Sequence, residues 1–381
     1  MSHVIDLGDI PVIDNHCHSI EGQQRSDVAT WRQAFTESHD PQIRVEDAAD
    51  TAFYRRLMHA MGRFHGVSGE DEVLRARSGH STENLVGILF HDASIGGVVI
   101  DAGYPAPEKA MDVAAFTTAS DSEYVALLRL EVTFQGLVVK HGSYDELVEA
   151  VNDLVADVRA SGFAGFKSIA AYRTGLAIER WSREDALASF VEARAEVAAT
   201  GAVRLGHKPL LDSLLHLAFA AAAAQELPVQ FHVGYGDADV DLRKASPLEL
   251  RSILEVPAYR SMPVVLLHGC WPYTREGAYL AAVYGNAYLD LSYGIPFLSV
   301  GEMTAMTRAA LSAAPFSKLM YSSDGVGVPE LHWMGAHDGR KAIGTVLGEL
   351  VADRELDDAE ARSAGERILR GNAARLYGFA S

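Results

Sequence analysis

The feature that most constrains the fold of this chain is a series of short apolar segments that alternate with helix-like stretches. Eight such segments occur, at residues 11–15, 96–103, 124–131, 162–169, 227–233, 262–269, 287–292 and 318–324. Strands that are apolar on both faces, each followed by a helix, are typical of a parallel sheet covered by helices. Eight strand–helix units predict a (β/α)₈ TIM barrel.

The stretches between these segments have apolar residues at helical spacing or are rich in Ala and Glu. They comprise residues 145–161, 183–200, 211–226, 246–256 and 274–285. The exception is residues 20–95, a long, polar and helix-rich stretch between the first two strands. We interpret it as a helical insertion in the first β-to-α loop that caps the barrel mouth; a separate small helical domain is the alternative. With no repeat and no linker, residues 1–381 are predicted to form a single domain.

Composition excludes several classes of function. A formal charge of −18 argues against nucleic-acid and anionic-membrane surfaces, which attract Lys and Arg. No apolar stretch approaches the roughly 20 residues that a membrane helix needs. Two cysteines, Cys17 and Cys270, exclude a disulfide framework and, with no secretion signal at the start, predict a cytoplasmic protein. The expected partner is a small-molecule substrate, and assembly into a homo-oligomer is left open.

Polar side chains occur at the ends of the predicted strands, where a barrel carries its active site. The stretch "IPVIDNHCHS" (10–19) ends the first strand with His16 and His18, which alternation points to the same side. The other strand ends carry Glu131, Lys167, His232, His268 and Asp324. A single histidine in such a place is usually structural. Four of them, with a lysine and an aspartate, predict a site for zinc or another divalent metal.

These residues resemble the amidohydrolase superfamily of metal-dependent hydrolases, which shares the HxH pair, the later single histidines and the final aspartate. Five longer segments resemble its amidohydrolase-related branch, which includes the FluG and nodulin-type proteins. They are "GFKSIAAYRTGL" (165–176), "FHVGYGDADVDLRKASPLELR" (231–251), "LLHGCWPYTREGAYLA" (266–281), "YSSDGVGVPELHW" (321–333) and "GNAARLYGF" (371–379). The resemblance extends along nearly the whole chain.

The resemblance implies a binuclear metal centre, with zinc as the expected metal and manganese or iron as alternatives. In this reading Lys167 is carbamylated and bridges two ions. The ligands of one ion are then His16, His18 and Asp324, and those of the other are His232 and His268. Asp324 also shuttles the proton of the attacking water. The alternatives for Lys167 are a neutral amine or an ion pair with Glu131.

Substrate recognition depends on residues near these strand ends. Arg173, six residues beyond Lys167, is placed to pair with a substrate carboxylate through a bidentate contact, and a surface ion pair is the alternative. Tyr172, Trp271 and Tyr273 are candidates for the pocket wall, although aromatic residues at a barrel mouth also serve packing.

The function predicted from the sequence is therefore a metal-dependent amidohydrolase. A metal-activated hydroxide would cleave an amide C–N bond other than a peptide bond, in a carboxylate-bearing substrate such as a γ-glutamyl amide. A lactone or ester hydrolase is the first alternative. A non-oxidative decarboxylase or sugar-acid isomerase of the same superfamily is the second, and a non-catalytic assembly partner is the third.

Overall fold

The predicted (β/α)₈ barrel is confirmed by a computed structural model that describes residues 3–380. Eight parallel strands follow one another around a single sheet in chain order. They are β1 (Val12–Cys17), β2 (Ile95–Asp101), β3 (Glu123–Arg129), β4 (Phe163–Ser168), β5 (Val229–Phe231), β6 (Val264–Leu266), β7 (Ala287–Ser292) and β8 (Leu319–Ser322). Each strand overlaps one of the apolar segments, as expected where side chains on both faces of a parallel sheet are covered.

Helices occupy the connections between the strands. In the first half of the chain they are α1 (Val28–Arg32), α2 (Pro41–Val45), α3 (Ala52–His65), α4 (Glu70–Ser78), α5 (Thr82–Asp92), α6 (Val113–Ser120), α7 (Leu130–Lys140) and α8 (Tyr144–Ala156). The second half has α9 (Arg183–Thr200), α10 (Lys208–Gln225), α11 (Arg251–Leu254), α12 (Thr274–Val283), α13 (Val300–Leu311), α14 (Pro329–Ala352), α15 (Asp358–Glu366) and α16 (Asn372–Tyr377). Over residues 3–380, no helix has the length and apolar character needed to cross a membrane.

Some element boundaries differ from those predicted. The segment 124–131 ends as a strand at Arg129, and α7 begins at the next residue, so Glu131 lies in the first turn of a helix. The helix predicted over 246–256 is a 3₁₀ turn, Pro247–Leu250, followed by the single turn of α11.

Chain contacts divide the protein into two compact units, of which the first comprises Met1–Tyr124, Gly236–Ala238 and Asp290–Ser381. Within it, the end of β1 is joined to the turn after β8. The amide of Asp324 donates to the carbonyl of His16 at 3.0 Å, and the amide of His18 donates to the carbonyl of Gly325 at 2.8 Å. Helices α1–α5 fill the chain between β1 and β2. Their role as a cap over the barrel mouth stays a prediction.

The second unit comprises Val125–Tyr235 and Asp239–Leu289. Strands β4, β5 and β6 pair in parallel with regular register, in which Phe166 of β4 lies beside Val229 of β5 and Val229 beside Val264 of β6. The backbones approach closely after β5. A Cβ atom on Gly234 would lie 2.2 Å from the carbonyl oxygen of Trp271, and the residue has a φ of +79°, so this position requires glycine.

Candidate metal centre and active site

Strand β1 carries two histidines at its carboxyl end. All six of its residues are buried, and Asp14 and His16 are separated by Asn15 along it. His16 is fully buried, whereas the side chain of His18, just beyond the strand, is 11% exposed. Their rings meet edge to face with centroids 5.0 Å apart. The two imidazoles therefore lie side by side at the strand end, as alternation along β1 predicts.

Asp324 completes this cluster from the turn after β8. Its Oδ1 atom lies 3.4 Å from Nε2 of His16 and 3.6 Å from Nε2 of His18. Its φ of +57° is in the left-handed region, which is unusual for a residue with a side chain and concentrates at functional sites. The first unit thus brings together three of the predicted metal ligands.

Asp101, at the end of β2, orients one of the two histidines. The Nδ1 atom of His18 lies 3.4 Å from the backbone oxygen of Asp101 and 3.8 Å from its Oδ2 atom. A carbonyl only accepts, so the proton of the neutral ring lies on Nδ1 and the lone pair on Nε2, the atom facing Asp324. His16, His18 and Asp101 also form a group that could hold a metal. The sequence analysis did not single out Asp101, although an aspartate that ends "GGVVID" was a signal of the same kind.

The donor atoms of this cluster fit a divalent metal. Two ligands about 2.1 Å from one ion at tetrahedral angles lie about 3.4 Å apart, which is close to the separations between Asp324 Oδ1 and the two Nε2 atoms. Two imidazoles and a carboxylate are also the donor set that zinc and similar ions prefer. The residues present therefore fit the metal that the sequence predicts.

Two more predicted ligands meet in the second unit. Nε2 of His268 lies 2.9 Å from Nδ1 of His232, and both residues are buried. The ring of Tyr172 lies 4.5 Å from that of His232, and the ring of Tyr235 lies 5.3 Å from that of His268. His268, Gly269 and Cys270 all have positive φ values, a second run of left-handed backbone beside a candidate ligand. Tyr235, three residues beyond His232, was not singled out in the sequence.

Lys167 lies on β4, next to the last residue of the strand, and is only 1% exposed. Glu131, the alternative ion-pair partner of Lys167, forms hydrogen bonds at the end of β4. The two carboxylate oxygens of Glu131 accept from the hydroxyl of Ser168 at 2.7 Å and from the amide of Ile169 at 2.9 Å. Burial raises the pKa of Glu131, and these hydrogen bonds partly oppose that rise. Glu131 therefore secures the end of β4.

Arg173 ends the short 3₁₀ turn Ala170–Tyr172 and is half-buried. One guanidinium nitrogen donates to Oε1 of Gln135 at 3.2 Å, and its Nε atom is buried without an acceptor. Burial and the nearby Arg204 lower its pKa. No carboxylate forms an ion pair with Arg173 anywhere in residues 3–380, so the surface ion pair considered above does not occur there.

The three aromatic residues predicted to form the pocket wall have different contacts. Tyr172 packs against His232, as described above. The hydroxyl of Tyr273 donates to the carbonyl of Leu242 at 3.0 Å, and the carbonyl of Trp271 accepts from the amide of Tyr235 at 2.8 Å. These contacts tie the two residues after β6 to neighbouring loops. Their role in a pocket wall stays a prediction.

Glu37, between α1 and α2, is a residue that the sequence analysis missed. Burial raises its pKa to about 8, and the negative charges of Asp324 and Asp237 raise it further. Its segment also approaches the loop that holds Asp237, because Nε2 of His39 lies 3.9 Å from Oδ2 of Asp237. A carboxyl in this place is protonated near neutral pH in the metal-free protein. No sequence pattern marks a glutamate in an irregular loop.

The barrel fold and the candidate metal ligands at its strand ends indicate a metal-dependent enzyme. Comparison with known families agrees. The profile of the family described as amidohydrolase matches residues 13–379. The match begins within β1 and ends after α16, so it includes every candidate ligand. The chain belongs to the amidohydrolase family.

Individual relatives place the chain within that family. It is 33% identical over 305 residues to the protein fluG of Emericella nidulans, an alignment that covers 78% of this chain and 32% of fluG. The chain thus spans about a third of that relative. Among solved structures it is similar to one described as a metal-dependent hydrolase from Lactobacillus casei, with 28% identity, a TM-score of 0.88 and 98% of each chain covered. A uronate isomerase from Thermotoga maritima shares the fold, with 11% identity, a TM-score of 0.71, and 97% of this chain and 95% of that one covered.

Proposed function

We propose that this protein is a metal-dependent hydrolase that cleaves the amide bond of a small, carboxylate-bearing substrate such as a γ-glutamyl amide. The observation that carries the proposal is the convergence of His16, His18 and Asp324, with Oδ1 of the aspartate 3.4 and 3.6 Å from the two imidazole nitrogens. Family membership supports the metal-dependent chemistry, and the amide bond is our inference from it.

In this proposal His16, His18 and Asp324 hold a divalent metal, with zinc expected and manganese or iron as alternatives. Such an ion, when bound, lowers the pKa of a water molecule and polarises a carbonyl group. The histidines contribute through fixed orientation, since the contact between Nδ1 of His18 and the carbonyl of Asp101 keeps Nε2 available as a ligand.

Asp324 is the proposed catalytic residue. Its side chain is 13% exposed, which leaves the carboxylate accessible beside two buried or nearly buried imidazoles. A carboxylate in this position can accept a proton from the attacking water at one oxygen and pass it to the leaving amine. The turn after β8 fixes its backbone, so the carboxylate does not need to reorganise between these two transfers.

His232, His268 and a carbamylated Lys167 are proposed as further metal ligands. The 2.9 Å separation of the two imidazole nitrogens suits ligands about 2.1 Å from one ion at angles near 90°. A buried ammonium on Lys167 would repel a dication, whereas a carbamate is an anionic ligand. Mass spectrometry under native conditions tests this step, since a carbamate adds the mass of CO₂ and should be lost in a Lys167→Ala variant.

Arg173 is the proposed partner of the substrate carboxylate. The guanidinium has no ion-pair partner among the described residues, and its Nε atom is buried without an acceptor. A buried donor without an acceptor has a free-energy cost that an incoming carboxylate removes. Tyr172 adjoins Arg173 in the chain and packs on His232, which supports its assignment to the pocket wall.

A substrate panel tests the proposal. The metal-loaded protein should hydrolyse γ-glutamyl or other carboxylate-bearing amides faster than matched lactones, esters and amides without a carboxylate. Arg173→Lys keeps the charge but loses the planar fork, so kcat/KM for carboxylate-bearing substrates should fall about tenfold or more. Arg251→Lys, at an exposed arginine of the same unit, is the matched control and should change little.

Two outcomes would contradict the proposal. Turnover of lactones or decarboxylation of aromatic acids, without amide cleavage, would overturn the choice of bond. An equal loss for substrates with and without a carboxylate in Arg173→Lys would show that Arg173 supports the fold and does not recognise the substrate.

A further inference from the structure

A second, fully buried polar cluster lies directly behind Asp324. Asp14 of β1 is 0% exposed, and both of its carboxylate oxygens accept hydrogen bonds from one residue, Ser323. The amide of Ser323 donates to Oδ1 at 2.8 Å and its hydroxyl donates to Oδ2 at 2.5 Å. Neither residue is among the proposed metal ligands, and a buried carboxylate needs a specific reason to occur in a strand.

The hydroxyl of Ser323 also holds the residue on the far side of Asp324. It accepts from the amide of Gly325 at 2.8 Å while donating to Asp14. The residues before and after Asp324 are thereby joined through one oxygen atom. Since Asp324 itself has a φ of +57°, an unfavourable conformation for a residue with a side chain, the turn needs such compensating contacts to persist.

Close packing removes the remaining freedom of this turn. A Cβ atom on Gly335 of α14 would lie 2.8 Å from Cβ of Ser323, and one on Gly325 would lie 2.7 Å from the ring of His332. The Nδ1 atom of His332 lies 3.5 Å from the hydroxyl of Ser323. The serine is therefore held between Asp14 on one side and α14 on the other.

We propose that Asp14 and Ser323 are positioning residues that fix the carboxylate of Asp324 at its distance from His16 and His18. This role rests on the proposed function, in which the position of Asp324 determines both the metal affinity and proton transfer. Residues that orient a metal ligand typically change metal affinity by about 10- to 100-fold when they are substituted.

A second metal site formed by Asp14, Cys17 and His332 is the competing interpretation of this cluster, because these three residues could supply ligands. The hydrogen bonds argue against it. Both oxygens of Asp14 are engaged by Ser323, and Sγ of Cys17 contacts the carbonyl of Val99 at 3.8 Å. The cluster is better explained as a support for the turn.

The neighbouring serine provides a matched control for the test. Ser322 is also 0% exposed, but its hydroxyl forms a hydrogen bond with the hydroxyl of Ser292 at 2.9 Å and not with Asp14. Ser323→Ala and Ser322→Ala each remove one buried hydroxyl one residue apart. Both substitutions should lower the free energy of unfolding by a similar amount. A difference between the two variants in the position of the Asp324 carboxylate is therefore not a general effect of destabilisation.

The experiment measures the position of Asp324 and the metal affinity in both variants. In crystals of metal-free Ser323→Ala we expect the Asp324 carboxylate to move by about 1 Å or more, a displacement sufficient to loosen a site. In Ser322→Ala it should stay in place. The dissociation constant for Co²⁺, titrated by its visible absorption, should rise about 10- to 100-fold in Ser323→Ala only.

An unmoved Asp324 in Ser323→Ala, with the Co²⁺ affinity of Ser322→Ala, would overturn the inference. Asp14→Asn covers the case in which Ser323→Ala does not fold, since its amide oxygen still accepts from the amide of Ser323. It should weaken Co²⁺ binding in the same direction, and unchanged affinity would likewise contradict the proposal. Wild-type protein that binds no Co²⁺ would instead contradict the proposed function, and the crystal comparison would still decide the role of Ser323.

Discussion

Glu37 is a residue whose pKa differs strongly between the unfolded and folded chain. In water a glutamate ionises near its ordinary pKa of about 4.5, whereas burial beside Asp324 and Asp237 raises the pKa of Glu37 to about 8. Within residues 3–380 no cation pairs with it. The folded, metal-free protein therefore keeps a proton that the unfolded chain releases.

This difference predicts a loss of stability as pH rises. Below pH 4.5 both states hold the proton, and between about 4.5 and 8 only the folded state does, so the free energy of unfolding falls across this window. The free energy of unfolding should fall by about 1.4 kcal/mol per pH unit within this window, and the fall should be complete above pH 8. Glu37→Gln, which mimics the neutral acid, should remove this fall. Urea unfolding of metal-free protein from pH 5 to 8.5 measures it.

Glu192→Gln, at an exposed glutamate of α9, is the control and should follow the wild-type pH dependence. Parallel curves for wild type and Glu37→Gln would show that Glu37 ionises normally in the fold. The prediction concerns protein treated with a chelator, because a bound cation would favour the ionised carboxylate.

The residues that the sequence revealed share one property, which is their position next to a buried strand. His16, His18 and Asp324 stand out because polar side chains interrupt apolar runs at places where a barrel carries its chemistry. Glu37 lies in an irregular loop, so its burial depends on tertiary packing that no local pattern encodes. Asp14 was overlooked for a different reason: it precedes the HxH pair on the same strand, and its partner Ser323 is remote in sequence.

At the scale of elements, a buried ion pair connects helices α4 and α14. Nε of Arg77, on α4, lies 2.5 Å from Oε1 of Glu330, on α14, and their side chains are 2% and 0% exposed. The guanidinium also lies 4.5 Å from the ring centroid of Trp31 on α1. Three helices are thereby tied together, and one of them directly follows the turn of Asp324.

Loss of one partner of this pair should be costly. Arg77→Met leaves the carboxylate of Glu330 buried without its cation, which typically costs about 3–5 kcal/mol. The double variant Arg77→Met/Glu330→Gln removes that charge and should recover part of the loss. Chemical denaturation of the single and double variants measures both effects.

An exposed pair in the same unit serves as the control. Arg308 of α13 contacts Glu349 of α14 at 2.7 Å, with side chains 48% and 36% exposed, so Arg308→Met should cost no more than about 1 kcal/mol. Equal losses in Arg77→Met and Arg308→Met would show that burial of the first pair has no energetic consequence.

Element boundaries were less predictable than element types, and two cases show why. Only three residues of the apolar segment 227–233 form β5, because β-pairing stops where the chain turns toward His232. Glu131 was assigned to a strand end because "RLEV" continues the strand pattern without a break. In the structure it lies in the first turn of α7, and its carboxylate accepts hydrogen bonds from Ser168 and Ile169 at the end of β4. Neither boundary follows from local propensity alone.

At the scale of the whole molecule, the fold was predictable because alternation of apolar strands with helices extends along the entire chain. The substrate was not, since one barrel fold serves many reactions and the difference lies in loop side chains. One solved structure illustrates this, because a chain that shares the fold over 97% of this protein is described as a uronate isomerase. Metal binding is the property that the ligand geometry and the family share.

Metal content of the purified protein tests the central claim most directly. Measured by inductively coupled plasma mass spectrometry after growth with zinc, manganese and iron, wild-type protein should carry at least one divalent ion per chain. A double His16→Ala/His18→Ala variant should lose it, because two of the proposed ligands facing Asp324 are removed. A double His59→Ala/His91→Ala variant, at exposed histidines of α3 and α5, should retain the wild-type content. Wild-type content in the His16→Ala/His18→Ala protein, with its fold intact by circular dichroism, would contradict the account.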